Sequence, residues 1–478
     1  MISLIKKLIS RYSYKYPKSL TYMLQASEYN FSDFIEWYKK VNDFSKVEKR
    51  KALIPTKKAL GIMLMNWGLL IFVYGFGIWV FFNFASPDRY FGLLVIVFAP
   101  YLIPYLLFIP LTILKIFIQK PIEYFLLKKA KEKISKHKGI KIGIAGSYGK
   151  TTMREILKTS LSIDKKVAAP PHSYNTPLGI AKFIKTLDGD EDVLIFELGE
   201  YYPGDIQKLC KIIKPDIGII TGINEAHLKK FKTIENTVDT IYEIKDFVRS
   251  ENLYVNGESE LAKNNAPKDS ILYSGAMIND WNVHSKENDL NGIKFNIEKD
   301  DLDFEIKSKL IGLHQTGPLA LAFYLSQKLG ITADKAVEGI SKVKPFDHRL
   351  EPKNTGKITL IDDSYNGNPD GVEAAINFLS SLENKRRFYV TPGLVEMGEK
   401  SEEIHKEIGK QLAKADIEKV ILIKNSVTPF IEQGLKENDY KGDIIWFEDG
   451  PKAFNSIDIL TIKDDVVLIQ NDWPDQYQ

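Results

Sequence analysis

One cysteine, Cys210, stands among 478 residues, so the chain has no internal disulfide, and its apolar flanks make that thiol core filler in a reducing compartment. An excess of either charge is missing too. With 65 basic and 62 acidic residues spread along the chain and a formal net charge of +3, nothing singles out a nucleic-acid surface. Hydrophobic residues at 44% and charged residues at 27% sit near the globular average, which excludes a collagen-like or wholly disordered chain. At roughly 150 residues per domain the length fits about three domains. The sharpest lack is local. No charged residue occurs from Ala59 to Pro87, and after Asp88 and Arg89 none occurs from Tyr90 to Leu114. About 20 apolar residues span a bilayer core as a helix, so each run is long enough. Both lie too far along the chain, and run too long, for a cleaved signal peptide.

Basic residues crowd the outer flanks of this pair: Lys46, Lys49, Arg50, Lys51, Lys57 and Lys58 before it, and Lys115, Lys120, Lys128, Lys129, Lys131 and Lys133 after it. Between the runs only Arg89 is basic. Lys and Arg near span ends bias those ends to the cytoplasm. The expectation is a two-helix transmembrane hairpin over residues 59–118 in the cytoplasmic membrane, with both termini inside and an outer turn at Ser86–Tyr90. Trp67, Trp79, Tyr90 and Tyr101 are candidate interfacial anchors. Pro100, Pro104 and Pro110 predict a kinked or partly re-entrant second helix, because each removes a backbone donor. Residues 1–58 are basic and aromatic, and read as short amphipathic helices lying against the inner leaflet.

From residue 139 short β-branched runs alternate with helical stretches: Lys141–Ala145, Val193–Phe196 and Ile217–Ile220, then Ile358–Ile361, Phe388–Val390, Val420–Ile423, Ile444–Trp446 and Val466–Ile469. Continuous apolar strands with intervening helices predict parallel sheets covered on both faces. Residues 252–311 read as short strands and turns, followed by a helix from about Pro318 to Leu329. The fold class is α/β: after the hairpin, a P-loop central domain over 139–345 and a Rossmann-like C-terminal domain over 346–478, with the ligand cleft between them.

The sharpest motif is Gly146-Ser147-Tyr148-Gly149-Lys150-Thr151-Thr152, placed after an apolar strand and before a helix predicted to begin near Met153. Glycines let the backbone approach a phosphate, the helix start presents N–H groups, Lys150 reaches the terminal phosphates, and a threonine hydroxyl suits magnesium. ATP is the natural ligand. A strict Walker A motif needs glycine where this chain has Ile144, so the match is to the shorter G-x-x-G-K-T-T form. Glu197, at the end of a predicted parallel strand, stands where open α/β sheets bind ligands. His227, taken alone, reads as a structural histidine.

Several segments together resemble the Mur ligase family of ATP-dependent amide ligases: Gly146 to Thr152, His172 to Gly179, Glu197-Leu198-Gly199, Thr221 to Leu228, and Asp347-His348-Arg349-Leu350-Glu351. Asp362 to Asp370, Gly393 to Gly398 and Ser401 to His405 are most similar to the branch that adds D-Ala-D-Ala to a muramyl tripeptide. The resemblance covers roughly residues 139 to 472. It implies that Gly146, Ser147, Gly149, Lys150, Thr151 and Thr152 hold ATP, with Arg349 and Asp363 contacting the nucleotide from the C-terminal domain. It further implies Thr151, Glu197 and His227 as magnesium ligands, Lys150, Glu197, His227 and Lys245 as the catalytic set, and Asn175, Tyr365, Asn366 and Asn368 on the substrates. Those substrates are a muramyl-peptide or lipid-linked acceptor and a dipeptide amine, D-Ala-D-Ala. The implied reaction activates a carboxylate as an acyl phosphate, which the amine attacks. Glu396 and His405 fall in a family motif but read as structural residues beside a helix capped by Ser401.

The chain departs from the family in four places. Alignment through Glu243 puts Ile241 where the family carries a carbamylated lysine, and Lys245, one helical turn on, is the candidate replacement. Gln315 and Pro318 stand for two asparagines near the adenine. Gln470-Asn471-Asp472-Trp473-Pro474 replaces a basic ending, and the hairpin occupies the place of the UDP-substrate domain. A poly-γ-glutamate-type synthetase and a nucleotide-binding scaffold without ligase activity are the competing readings; Ile241 and Pro318 favour the scaffold.

Overall fold

The computed structural model describes residues 7, 9–27, 29–48, 52–171, 174–224, 231–365, 367–395 and 397–471. They form two compact units, divided between Tyr124 and Phe125.

In the first unit, helices Tyr16–Ala26 and Phe31–Lys40 precede helices Lys57–Asn83 and Arg89–Leu106. Asn30 starts the second of these by accepting from the Ser32 and Asp33 amides, and Thr56 starts the third by accepting from Ala59. Lys57–Asn83 and the stretch Arg89–Lys136 are long and apolar enough to cross a membrane, and they leave Leu64, Ile71, Phe72 and Phe82 exposed. The helical pair meets at two glycines. A Cβ on Gly77 would lie 2.9 Å from the Gly92 carbonyl oxygen, and one on Gly92 would lie 2.7 Å from the Phe81 nitrogen. Small residues permit this approach of two backbones.

The segment before residue 58 packs against the apolar pair. Tyr16, Leu20, Met23, Phe34 and Phe44 share one core with Ile62, Ile103 and Leu107 of the apolar pair. Two polar groups of that pair require this. Asn66, fully buried, donates to Thr21 Oγ1 at 3.1 Å. Pro104 has no N–H for the carbonyl of Pro100, and the Tyr16 hydroxyl donates to that oxygen at 2.8 Å instead.

The second unit opens with β1 (Ile140–Ala145), β2 (Val167–Ala168), β3 (Val193–Glu197), β4 (Ile217–Ile220), β5 (Leu253–Asn256) and β6 (Ile271–Tyr273), all parallel, in the order β2-β3-β1-β4-β5-β6. Residues 252–311, expected as short strands and turns, supply β5 and β6 and then extend the same sheet antiparallel through β7 (Met277–Ile278), β8 (Trp281–Asp289), β9 (Gly292–Lys299) and β10 (Leu302–Ser308). Apolar layers cover both faces of the parallel part. Cys210 is fully buried in one of them, as its flanks predict. From β1 the chain passes to β2 and β3 on one side and then to β4 on the other, so the β1 end is the topological switch point where open α/β sheets bind ligands.

The C-terminal sheet has β11 (Glu351–Asn354), β12 (Thr359–Asp363), β13 (Arg387–Thr391), β14 (Lys419–Ile423), β15 (Asp443–Phe447) and β16 (Val466–Gln470), in the order β11-β12-β16-β13-β14-β15. Only β11 pairs antiparallel. Its ligand-facing end carries Asp363, the last residue of β12.

Candidate active site

The turn after β1 is shaped by two glycines. Gly146 at φ 141° and Gly149 at φ 78° adopt conformations that side-chain-bearing residues avoid, and the Ser147 amide donates to the Gly222 carbonyl at 2.7 Å, pinning the turn to the end of β4. Helix Lys150–Leu161 starts here without a side-chain cap, three residues earlier than expected. Its first N–H groups face outward from the turn, an arrangement suited to an anion.

Two buried carboxylates meet the first turn of that helix. Glu197, 2% exposed at the end of β3, accepts from the Thr151 hydroxyl at 3.1 Å and lies 2.7 Å from the Arg154 guanidinium. Glu200, three residues later, places both carboxylate oxygens on Lys150 Nζ at 2.8 and 3.0 Å. A hydroxyl and a carboxylate oxygen side by side form a hard-oxygen donor set, which fits magnesium.

The cleft beside the turn encloses about 670 Å³ and is lined by residues of both α/β domains. Tyr148, Gly149 and Thr152 contribute from the turn, Arg349, Asp363, Tyr365 and Asn368 from the C-terminal domain, and Leu313, Gln315 and Pro318 from the loop and helix after β10. The Arg349 guanidinium lies 4.8 Å from the Tyr365 ring centroid. Burial pulls its pKa down, opposed by the nearby carboxylates of Glu197 and Asp363. Asp363 accepts from the Leu350 amide at 3.0 Å and from Gln470 at 2.6 Å, and burial raises its pKa. Asn224 bridges the domains, donating to Asn368 at 3.0 Å and Asp370 at 2.6 Å. Asn368 also caps helix Pro369–Ser380 through the Gly371 amide.

The Mur ligase middle domain description matches residues 144–325, and that of the Mur ligase glutamate ligase domain matches residues 348–470, together more than half of the chain. The chain belongs to the Mur ligase family. That family comprises ATP-dependent ligases. The chain is 25% identical over 331 residues to the UDP-N-acetylmuramoyl-tripeptide–D-alanyl-D-alanine ligase of Bacillus subtilis, covering 64% of this chain and 72% of the relative. It is 29% identical over 299 residues to the same ligase of Rickettsia prowazekii, covering 59% of this chain and 65% of that one, so it spans just under two thirds of the latter's length. Among solved structures, MurF of Thermotoga maritima in complex with ADP superposes with a TM-score of 0.64 at 25% identity, covering 73% of this chain and 80% of that one.

Within this Mur ligase fold most of the expected residues converge. Gly146, Ser147, Gly149, Lys150 and Thr151 form the turn with Glu197, and Thr152, Arg349, Asp363, Tyr365 and Asn368 border the cleft. Asn175 backs the end of β3, its carbonyl accepting from the Gly199 amide at 3.0 Å. His227 and Asn366 lie outside the described residues, as do His172, Glu396 and Trp473. Lys245 does not join the site. The expected helical face ends at Tyr242, and Glu243–Asp246 continue as a 3₁₀ turn. At three residues per turn, Ile244 and not Lys245 follows Ile241 into the core, and Lys245 is exposed. Glu243 itself accepts from the Gly204 and Gln207 amides, at 2.8 Å each, and anchors helix Asp205–Ile213. His405 is structural: fully buried, its Nε2 accepts from the Leu394 amide at 2.9 Å. Ser401 is the first residue of its helix, and Lys400 takes the cap position.

The motifs missed Glu200 and Arg154, and gave Asp370, within the segment Asp362 to Asp370, no role. Arg154 carried a usable signal, since its spacing of three from Thr151 puts both on one helical face toward Glu197.

Proposed function

We propose that this Mur ligase is an ATP-dependent amide ligase that joins D-Ala-D-Ala to a muramyl peptide, acting on the cytoplasmic side of a membrane into which its apolar helical pair inserts. Tyr148, Gly149 and Thr152 of the turn line one cleft with Arg349 of the C-terminal domain, and the Arg349 guanidinium feels the charge of Glu197; this carries the reading.

The turn and the first amides of helix Lys150–Leu161 grip the ATP phosphates, and Arg349 meets them from the C-terminal domain. Lys150 and Arg349 neutralise charge as the γ-phosphoryl group passes to the substrate carboxylate, giving an acyl phosphate and ADP. The amine of the dipeptide then attacks the acyl carbon, the amide forms, and phosphate leaves. Magnesium, held by Thr151 and Glu197 with His227 as a further candidate, supplies charge stabilisation when bound. The Asn224 contacts hold the domains together, so that carboxylate, phosphate and amine stay in line. Tyr365 and Asn368 border the cleft where the peptide substrates enter.

The membrane assignment rests on the two apolar helices, their exposed Leu64, Ile71, Phe72 and Phe82, and the basic residues at both outer flanks. Such an anchor suits a lipid-linked acceptor as well as a UDP-linked one.

The test is ADP release by the full chain in detergent, with a muramyl tripeptide and D-Ala-D-Ala supplied singly and together. Release that requires both supports the proposal. Release with glutamate in place of the dipeptide points to a poly-γ-glutamate-type synthetase, and no acceptor-dependent release to a scaffold.

A further inference from the structure

The near balance of charge over the whole chain hides one face that is not balanced. Three helices cover one side of the parallel sheet: the part of helix Lys120–Lys136 from Phe125 on, helix Pro177–Thr186 and helix Asp205–Ile213. They are neighbours in one layer, because Ala130, Ile184 and Leu209 share a core and the Lys133 ammonium donates to the Lys185 carbonyl at 3.0 Å. Over residues 125–138, 177–186 and 205–214 the chain carries eleven lysines against two acidic residues, Glu132 and Asp205. The helices on the opposite side of the sheet, Lys150–Leu161, Thr316–Lys328 and Ala333–Ser341, carry five basic and three acidic residues. Apolar side chains of the first three helices point into the sheet, so their lysines lie outside, where Lys128, Lys129, Lys136, Lys182, Lys185 and Lys211 are all exposed. Among the described residues none of these six forms an ion pair. Helices of the C-terminal domain differ, since there Lys406 pairs with Glu402, Lys410 with Glu407 and Lys436 with Glu432, each about one turn away. Helix Ile234–Tyr242, next in the layer, carries exposed Glu235 and Asp239 and bounds the basic face.

We infer that this face is a docking surface for anionic lipid headgroups, which holds the central domain against the membrane surface. The inference rests on the membrane reading of the apolar helical pair. A single lysine gains little at a charged bilayer, and several on one rigid face add up. Charge alone would suit other polyanions; the anchor decides among them. Lys128 follows Leu114, the last residue of the second uncharged run, by fourteen residues, so headgroups stand at high effective concentration beside the face, whereas a soluble polyanion has to be captured from solution. The choice of cation agrees. No arginine occurs on these three stretches. Lysines are point charges on flexible stems, suited to headgroup phosphates that move laterally, while a fixed anion pocket would favour the planar fork of arginine. Contact with the bilayer then depends on its negative charge and weakens with salt.

The experiment places the full chain in lipid nanodiscs, of phosphatidylcholine alone or of phosphatidylcholine mixed with phosphatidylglycerol, and follows acetylation of each lysine at low conversion by mass spectrometry. Lys129, Lys182 and Lys211 are expected to react at least about fivefold more slowly in the anionic discs, and high salt should remove the difference. Lys158, exposed on the opposite side of the sheet, should react alike in both. The variant Lys129→Glu/Lys182→Glu/Lys185→Glu is expected to lose the lipid-dependent protection of Lys128 and Lys211 while releasing ADP in detergent as wild type does. Equal reactivity of Lys129, Lys182 and Lys211 in the two kinds of disc overturns the proposal, as does protection that persists in the triple variant. Slowing by soluble polyglutamate in neutral discs as large as that by anionic lipid makes the face a site for an acidic polymer and overturns the lipid assignment. A chain that enters neither kind of disc overturns the membrane reading instead.

Discussion

Asn224, beyond the end of β4, donates to the carboxylate of Asp370 at the start of helix Pro369–Ser380, 2.6 Å away and 146 residues along the chain. The same carboxylate accepts from the Tyr148 hydroxyl of the phosphate-binding turn at 3.4 Å. The contact between the two Mur ligase domains is thereby tied to the turn after β1, which we propose holds the nucleotide. Deleting a partly buried hydrogen bond to a charged group costs about 1–3 kcal/mol, so Asn224→Ala should raise the apparent KM for ATP about tenfold. Steady-state kinetics check this. The double variant Asn224→Ala/Asp370→Asn should add little further loss if the two residues act as one contact.

On the proposed mechanism, Lys150→Ala removes the ammonium that neutralises the transferring phosphoryl group. Turnover should fall at least about a hundredfold, read as ADP release at saturating substrates. A rate near that of wild type would falsify the assignment of the turn.

Arg349→Lys keeps a positive charge but loses the planar group that lies over Tyr365 at 4.8 Å. Because a lysine cannot reproduce that geometry, kcat/KM for ATP should drop about tenfold. Wild-type efficiency in the lysine variant would show that charge alone suffices.

Acid stability should depend on Glu191. Burial pushes its carboxyl up, and hydrogen bonds from His137 and from the Asp188 and Gly189 amides outweigh this, holding it at about 2. A carboxyl depressed in the folded state stabilises the fold above its ordinary value of 4.5 and loses that contribution as pH falls through the window down to about 2. Glu191→Gln should lower stability at neutral pH by at most about 3 kcal/mol and flatten the pH dependence below 4.5. Denaturant titrations between pH 2 and 7 measure it, and parallel acid curves for the two proteins would contradict the pairing.

The glycine contact of the helical pair predicts a steric effect. A side chain at Gly92 meets the Phe81 backbone, which cannot move aside as a flexible side chain would. Gly92→Val should cost about 1–3 kcal/mol, visible as earlier unfolding of the helical pair in a denaturing-detergent titration. Gly68→Val, whose Cβ would meet nothing within 4 Å, is the control and should unfold as wild type does.

What could be read in advance follows from how each feature is encoded. Gly146, Gly149, Lys150 and Thr151 are contiguous, and their chemistry depends on a local strand-to-helix turn, so spacing alone located them. Glu197 was marked by its place at a strand end. Lys245 misled because the step of four residues assumes an α-helix, whereas the backbone tightens to 3₁₀ after Tyr242 and rotates the next positions. Glu200 and Asp370 sit in a loop and a helix start, where no periodicity says which way a side chain turns; their partners lie 50 and 146 residues away. Asn66 was a signal left unused. A buried amide within an apolar run has to find a partner, and that partner, Thr21, is what draws the N-terminal helix onto the pair.

The Tyr16 hydroxyl and the Pro100 carbonyl also set an order of assembly. The donor leaves the ribosome 84 residues before its acceptor, so helix Tyr16–Ala26 has no finished seat while it is being made. Its docking completes late, when the Pro100 carbonyl has been made, and a chain lacking Tyr16 would leave that carbonyl without this donor.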